Sequence, residues 1–130
     1  MTPTFDMIGI VASDLAASLE FYRRLGLDIP EGAEKQPHVD YSLPSGVRIA
    51  WDPIETIHSF DPEWAPPTGA HRIALAFRCA TPAEVDAKHA ELVSAGYRSH
   101  KAPWDAFWGQ RYATVLDPDD NGVDLFADLR

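Results

Sequence analysis

From Phe5 to Val11 the chain reads FDMIGIV, an alternation with the period of a strand. Ser13 follows as a candidate N-cap, and the apolar residues Leu15, Leu19 and Tyr22 fall at i, i+4 and i+7, the spacing of one helix face. Gly26 ends that predicted helix as a C′ residue. The runs HVDYSLP and VRIAWD, divided by SG, then predict a hairpin of strands over 38–43 and 47–52. The order repeats from His71. RIALAF predicts a strand, and TPAE predicts a helix start with Thr81 as N-cap, Pro82 at the first helical position and Glu84 completing a capping box. Gly96 closes the helix. YRSHKAPW, QRYATVLD and GVDLFADL predict three more strands, the last two joined by the turn PDDN.

This pattern predicts one α+β domain over 1–130, built from two β-α-β-β-β modules, 5–52 and 71–130, that form a cupped mixed sheet. Between them 53–70 reads PIETIHSFDPEWAPPTGA, whose prolines and glycine make a poor helix or strand interior, so a linker is expected there. The period of two assigns faces. Ile8 and Ile10 should pack under the first helix, leaving Phe5, Met7 and Gly9 opposite. Ile73, Leu75 and Phe77 should pack in the second module, leaving Arg72, Ala74 and Ala76. Small, uncharged residues on the unpacked faces suit the lining of a ligand cup.

Composition narrows the partners. Eleven basic residues against twenty acidic ones leave a formal charge of −9, which disfavours nucleic acid and anionic membrane and suits a cationic ligand. The chain holds neither a signal-like start nor an apolar run long enough to span a bilayer, so a soluble cytoplasmic protein is expected. The single cysteine, Cys79, makes no internal disulfide and reads as a small hydrophobe.

Three features together resemble the vicinal oxygen chelate superfamily, which holds glyoxalase I, extradiol dioxygenases and the bleomycin resistance proteins. They are VASDLAASLEFYRRLGLDI over 11–29, the duplicated order of elements, and LDPDDNGVDLFA over 116–127, similar to the family's closing DPxGN turn and strand. Asp120 stands where that turn has glycine, a tolerable exchange because Asp also visits left-handed backbone. Metal-dependent members carry a histidine on the first strand of each half, a glutamate on the fourth strand and a carboxylate on the last. The resemblance puts these positions at Met7, at Ala74, at or beside Ile49, and at Asp124. A divalent ion needs several donors at about 2 Å, and only Asp124 offers one, so no metal or other cofactor is expected. The five histidines, His38, His58, His71, His89 and His100, are scattered along the chain and read as solvated.

The stretch WDAFWGQRY, 104–112, is the remaining signal. In bleomycin-binding relatives a WG segment followed by a basic residue looks into the ligand groove, and Trp108, Gly109 and Arg111 match it. Aromatic surfaces take planar molecules by stacking, and an acidic surround adds a cation term. Trp108, Phe107, Trp51, Arg111, Asp124, Met7 and Tyr112 are therefore the expected ligand-binding set. Trp104, after Pro103, fits a strand edge or a subunit interface better. Trp64 in the linker is a candidate lid. The resemblance further implies a homodimer.

The resulting expectation is a metal-independent protein that sequesters a planar aromatic compound, as in antibiotic resistance, with no catalytic residue. Two alternatives stand beside it. One is a glyoxalase- or dioxygenase-type metal enzyme with a non-standard site. The other is a metal-free lyase or isomerase using Asp124 or Asp40 as general base. A cup filled by its own side chains would make a scaffold module instead.

Overall fold

The computed structural model describes residues 1–130, which form two compact units, Met1–Pro67 and Thr68–Arg130. In the first unit, strand β1 (Met7–Ala12) leads to helix α1 (Leu15–Arg24). A single 3₁₀ turn at Ala33–Lys35, strands β2 (Val39–Ser42) and β3 (Arg48–Pro53), and a short helix α2 (Ile54–His58) follow. The sheet order is β1-β3-β2, with β1 parallel and β2 antiparallel to β3. The second unit runs β4 (Ala74–Arg78), α3 (Pro82–Ser94), β5 (Ser99–Ala106), β6 (Gln110–Leu116) and β7 (Gly122–Asp128). Its sheet order is β4-β7-β6-β5, with β4 parallel to β7 and the other pairs antiparallel.

The architecture is α+β, with sheets of three and four strands rather than four and four. The difference lies between α1 and β2, where the second unit places the edge strand β5. There the first unit has Pro30 and Pro37, which cannot donate to a ladder, and Gly32 at φ 84°. A 3₁₀ turn results. The linker also differs from expectation. Its first residues fold as α2 because Pro53 stands at the N-cap, where a missing N–H costs nothing. The remaining prolines fall after the helix has ended.

Both long helices end alike, in Schellman motifs. Gly26 donates to the Arg23 carbonyl (2.9 Å) and Leu27 to Tyr22 (3.2 Å), while Gly96 donates to Val93 (3.0 Å) and Tyr97 to Leu92 (3.1 Å). These bonds need a left-handed C′ residue, and Gly26 and Gly96 have φ of 103° and 102°. The starts match expectation less evenly. Asp14, not Ser13, caps α1 by accepting from Ala17 N–H (3.1 Å). Thr81 caps α3, Pro82 opens it, and Glu84 reaches back to the N–H of Ala80 (2.8 Å). The β6–β7 turn closes without a glycine at its left-handed position, for Asp120 takes φ 68° and the buried Asp117 carboxylate accepts from the N–H groups of Asp119 and Asn121, each at 2.9 Å.

Each sheet packs one face on its own helix. In the first unit Leu15, Leu19 and Tyr22 of α1 are buried, together with Ile10 of β1 and Ile49 and Trp51 of β3. In the second, Val85 and Leu92 of α3 are buried with Ala113 and Val115 of β6 and Val123 and Leu125 of β7. Leu75 and Phe77 pair in register with Val123 and Leu125 and share that face. Ile73 does not join them. It precedes β4 and is 78% exposed, so the expected packing begins two residues later. No helix is long and apolar enough to cross a membrane.

Candidate functional site

The WDAFWGQRY stretch forms the end of β5, a turn, and the start of β6. Ala106 pairs with Gln110, and Gly109 N–H donates to the Ala106 carbonyl at 3.0 Å, leaving a three-residue turn of Phe107, Trp108 and Gly109. Gly109, at φ 93°, supplies the left-handed residue that such a turn requires. Trp108 is thereby laid back along the open face of the sheet, the face that α3 does not cover. Its ring meets Trp104 edge-on at 5.6 Å, Phe107 at 5.0 Å and Tyr112 at 5.3 Å. Tyr112 stacks in turn on Phe126 of β7 at 6.0 Å. The cross-strand pairs Trp104–Tyr112 and Tyr112–Phe126 make this a continuous row of rings over three strands. Trp104, expected at a strand edge or a subunit interface, lies on β5, the edge strand of its sheet, and is also part of the row. Phe126 was not foreseen, although its alternation with Asp124 on the last strand put both on one face.

Asp124 lies beside the row. Its two oxygens accept from Tyr112 Oη and Thr114 Oγ1, each at 2.7 Å. Burial, and then the hydrogen bond to Asp124, push the Tyr112 phenol up to about 12, so it stays protonated and donating at any physiological pH. The exposed Ala74 and Ala76 and the side-chain-free Gly122 flank Asp124 on the same face. The imidazole of His71 lies over Gly122 where a Cβ would stand, and it meets His100 edge-on at 5.5 Å.

Two expected members of the set point elsewhere. Arg111 faces α3, where its guanidinium grips both oxygens of Asp86 (2.9 and 3.2 Å) and reaches Asp105 at 3.1 Å. It shares the face of the buried Ala113 and Val115, so it ties the helix to the sheet rather than meeting a ligand. Trp51 is completely buried under α1, its ring 5.5 Å from Tyr22, because its register partner is Ile10 on the helix-packed face. Met7 does lie on the open face of β1 and is partly exposed. Trp64 sits near His58, which bonds the Trp64 carbonyl at 2.8 Å.

The open face of the first sheet carries a charge chain that the scattered-histidine expectation missed. His38 Nδ1 meets Asp52 at 2.6 Å and Nε2 meets Asp40 at 3.2 Å. Arg48 then binds Asp40 at 3.1 Å and Asp6 at 2.5 Å. His38 and Asp40 also line an open cleft of about 350 Å³. The Asp52 hydrogen bond raises the His38 pKa above its ordinary 6.5 against a smaller desolvation effect. A raised folded-state pKa contributes stability in full below 6.5 and loses it as pH rises through the folded value. The stability that His38 contributes should therefore fall as pH rises from 6.5 through its raised folded-state value. His89, whose pKa burial lowers, follows the opposite trend, so the His38 share is read as the difference in denaturant midpoint between the native chain and a His38 variant. His38→Gln should flatten that fall, by less than about 1 kcal/mol because the pair is solvent-exposed. Identical pH profiles for the two proteins would show that the pair contributes nothing.

Residues 4–125 match the family model of the Glyoxalase/Bleomycin resistance protein/Dioxygenase superfamily. The chain belongs to this superfamily. Among solved structures it is similar to a glyoxalase/bleomycin resistance protein/dioxygenase from Nocardioides, at 26% identity and TM-score 0.74 over 100% of this chain and 86% of that one. It also resembles a glyoxalase/bleomycin resistance protein/dioxygenase family enzyme from Burkholderia phytofirmans, at 20% identity and TM-score 0.82, covering 98% and 100%. A third likeness is a glyoxalase-related enzyme from Fulvimarina pelagi, at 21% and 0.78, covering 98% and 89%. No curated protein matches the chain.

Superfamily enzymes hold their metal on the open sheet faces, and the register tests whether this chain's residues fit one. In the second unit Asp124 pairs with Ala76, two residues after Ala74. The same relation in the first unit pairs Ala50 with Gly9, two residues after Met7. The glutamate position thus falls at Ala50. Ile49 is turned to α1 and buried. A thioether, two methyl groups and one carboxylate already accepting two hydroxyls do not make a divalent-metal site. No cluster of three or more His, Cys, Asp or Glu side chains elsewhere is arranged to hold an ion.

Proposed function

We propose that this superfamily member is a metal-independent binding protein, holding a planar aromatic compound against the open face of its second sheet and sequestering it without turnover. The observation that carries this reading is the ring row Trp104, Trp108, Tyr112 and Phe126 beside small, exposed floor residues. Edge-to-face and stacked rings leave further faces for a flat guest, and Trp108 keeps about half its surface exposed. General-base catalysis fits less well, since Tyr112 and Thr114 already donate to the one carboxylate on the floor. Resistance by sequestration is the role that we assign.

The test is a tryptophan-fluorescence titration of metal-stripped protein with bleomycin, mitomycin and a phenazine, using a flexible aliphatic compound as control. Saturable quenching at micromolar or lower concentration is the expected result. Silence across the planar compounds, or binding that appears only when a divalent metal is restored, would defeat the reading.

A further inference from the structure

We propose that the compound bound by this face is an aromatic anion, a planar ring system carrying a carboxylate, sulfonate or phosphate group, and that Lys101 and Arg78 select for its charge. This rests on the binding role proposed above and adds the chemical class of the ligand.

The ring row has a cation at each end. Lys101 places its ammonium 5.0 Å from the Trp104 ring centroid, and Arg78 places its guanidinium carbon 4.7 Å from that of Phe126. A flat guest lying along the row therefore meets a positive group at either end. The carboxylates of the same face are spoken for. Asp124 accepts from Tyr112 and Thr114, and Asp128 accepts from Gln110 at 3.1 Å and from Arg78 at 3.2 Å. The Gln110 hydrogen bond, with the Arg78 charge behind it, holds Asp128 below the ordinary carboxylate range.

Donors, in contrast, are in surplus. An ammonium has three N–H groups, and that of Lys101 engages no carboxylate. A guanidinium has five, of which Arg78 gives one to Asp128. Each lies over an aromatic face, where a cation is held without its donors being used. The group that would complete them is an anionic acceptor on a guest already stacked against those rings. A cationic guest would bring its charge against Lys101 or Arg78 and would have to displace them from the rings.

The acidity of the whole chain does not oppose this, because it is unevenly placed. Residues 1–67 hold four basic and eleven acidic side chains, whereas 68–130 hold seven and nine. The excess of negative charge lies mostly in the unit that lacks the ring row. Within a screening length of about 10 Å at moderate salt, a guest meets Lys101 and Arg78 at the ends of the row together with the carboxylates of Asp124 and Asp128, and of these groups it is the two cations that keep unused donors.

The experiment uses three matched probes on the full chain: a naphthalenesulfonate, a naphthyl trimethylammonium and a neutral naphthyl alcohol, titrated by tryptophan fluorescence and calorimetry. The sulfonate should bind about tenfold more tightly than the alcohol, and the ammonium more weakly than either. Lys101→Gln and Arg78→Gln should each reduce the ratio of sulfonate to alcohol affinity by about threefold, and the double variant should bind the two probes about equally. Lys101→Glu should narrow or reverse the preference between sulfonate and ammonium. Raising salt from about 0.02 M to about 0.5 M should erase most of the sulfonate's advantage. Equal affinity for sulfonate and alcohol, or tighter binding of the ammonium, would overturn the anion preference while leaving aromatic binding intact. Failure of all three probes to bind would sink both.

Discussion

Replacing Trp51 with alanine should destabilise the first unit by about 3–5 kcal/mol, the largest effect expected of any single truncation in this chain. The side chain has no solvent exposure and is the largest fully buried one in the protein. It stands on the central strand of its sheet, between Ile10 of β1 and Val39 of β2 in register, with Tyr22 of α1 above it at 5.5 Å. Removing the indole would leave a cavity that three elements border, and strands fixed by ladder bonds cannot close over it. Trp51→Phe should cost much less. The Trp51 Nε1–H has no acceptor, and a buried unpaired donor already costs about 1–3 kcal/mol that phenylalanine would not incur. Relief of that cost offsets part of the lost contact area, so Phe should lie within about 2 kcal/mol of the native chain. Urea denaturation of the three proteins, followed by near-ultraviolet circular dichroism, gives the comparison. An alanine variant that loses under about 1 kcal/mol would mean that the ring does not support the core.

Trp51 also shows where sequence reading reaches its limit. Ile49, Ala50 and Trp51 are consecutive apolar residues, so the alternation that would reveal a strand's two faces is blank there. Only register with β1 turns Trp51 and Ile49 toward α1 and leaves Ala50 opposite Gly9. Where chemistry is local, the sequence is mostly legible, although the cap of α1 falls at Asp14, one residue after Ser13. Gly26, Gly96, Thr81 and the Asp117–Asn121 turn each do what their own short segment requires. Arg111 was misplaced although the signal existed, because Ala113 and Val115 mark its side of β6 as the packed one, while its partner Asp86 is 25 residues distant in sequence. His38 and Asp52 are 14 residues apart and meet only through pairing of β2 with β3. The aromatic row was half legible: 104–112 advertised Trp108 and Tyr112, but Phe126 and the flanking cations join them only once β4, β7, β6 and β5 lie side by side.

Trp108→Ala should weaken binding of a planar aromatic ligand by about 1–3 kcal/mol, roughly 5- to 150-fold, while leaving the fold in place. Trp108 contacts three other rings, so its removal both deletes a stacking surface and frees Trp104 and Tyr112 from their shared neighbour. Its fold contribution should be modest, about 1 kcal/mol, because the ring is 49% exposed on a turn whose shape Gly109 dictates. Trp108→Phe separates the two roles of the indole. It keeps an aromatic face but loses the Nε1–H bond to Gln110 Oε1 (2.9 Å), the side chain that in turn binds Asp128. If stacking dominates, Phe should recover most of the affinity that Ala loses. If the polar chain from Trp108 through Gln110 to Asp128 positions the ring, Phe should recover little, and Gln110→Ala should weaken binding to a similar degree. Phe107→Ala is the comparison within the same turn. That ring is 91% exposed and touches the row only through Trp108, so its truncation should cost less than the loss of Trp108. Equal binding by the native and Trp108→Ala proteins, with circular dichroism spectra unchanged, would take Trp108 out of the site and with it the reason for placing the ligand on this face.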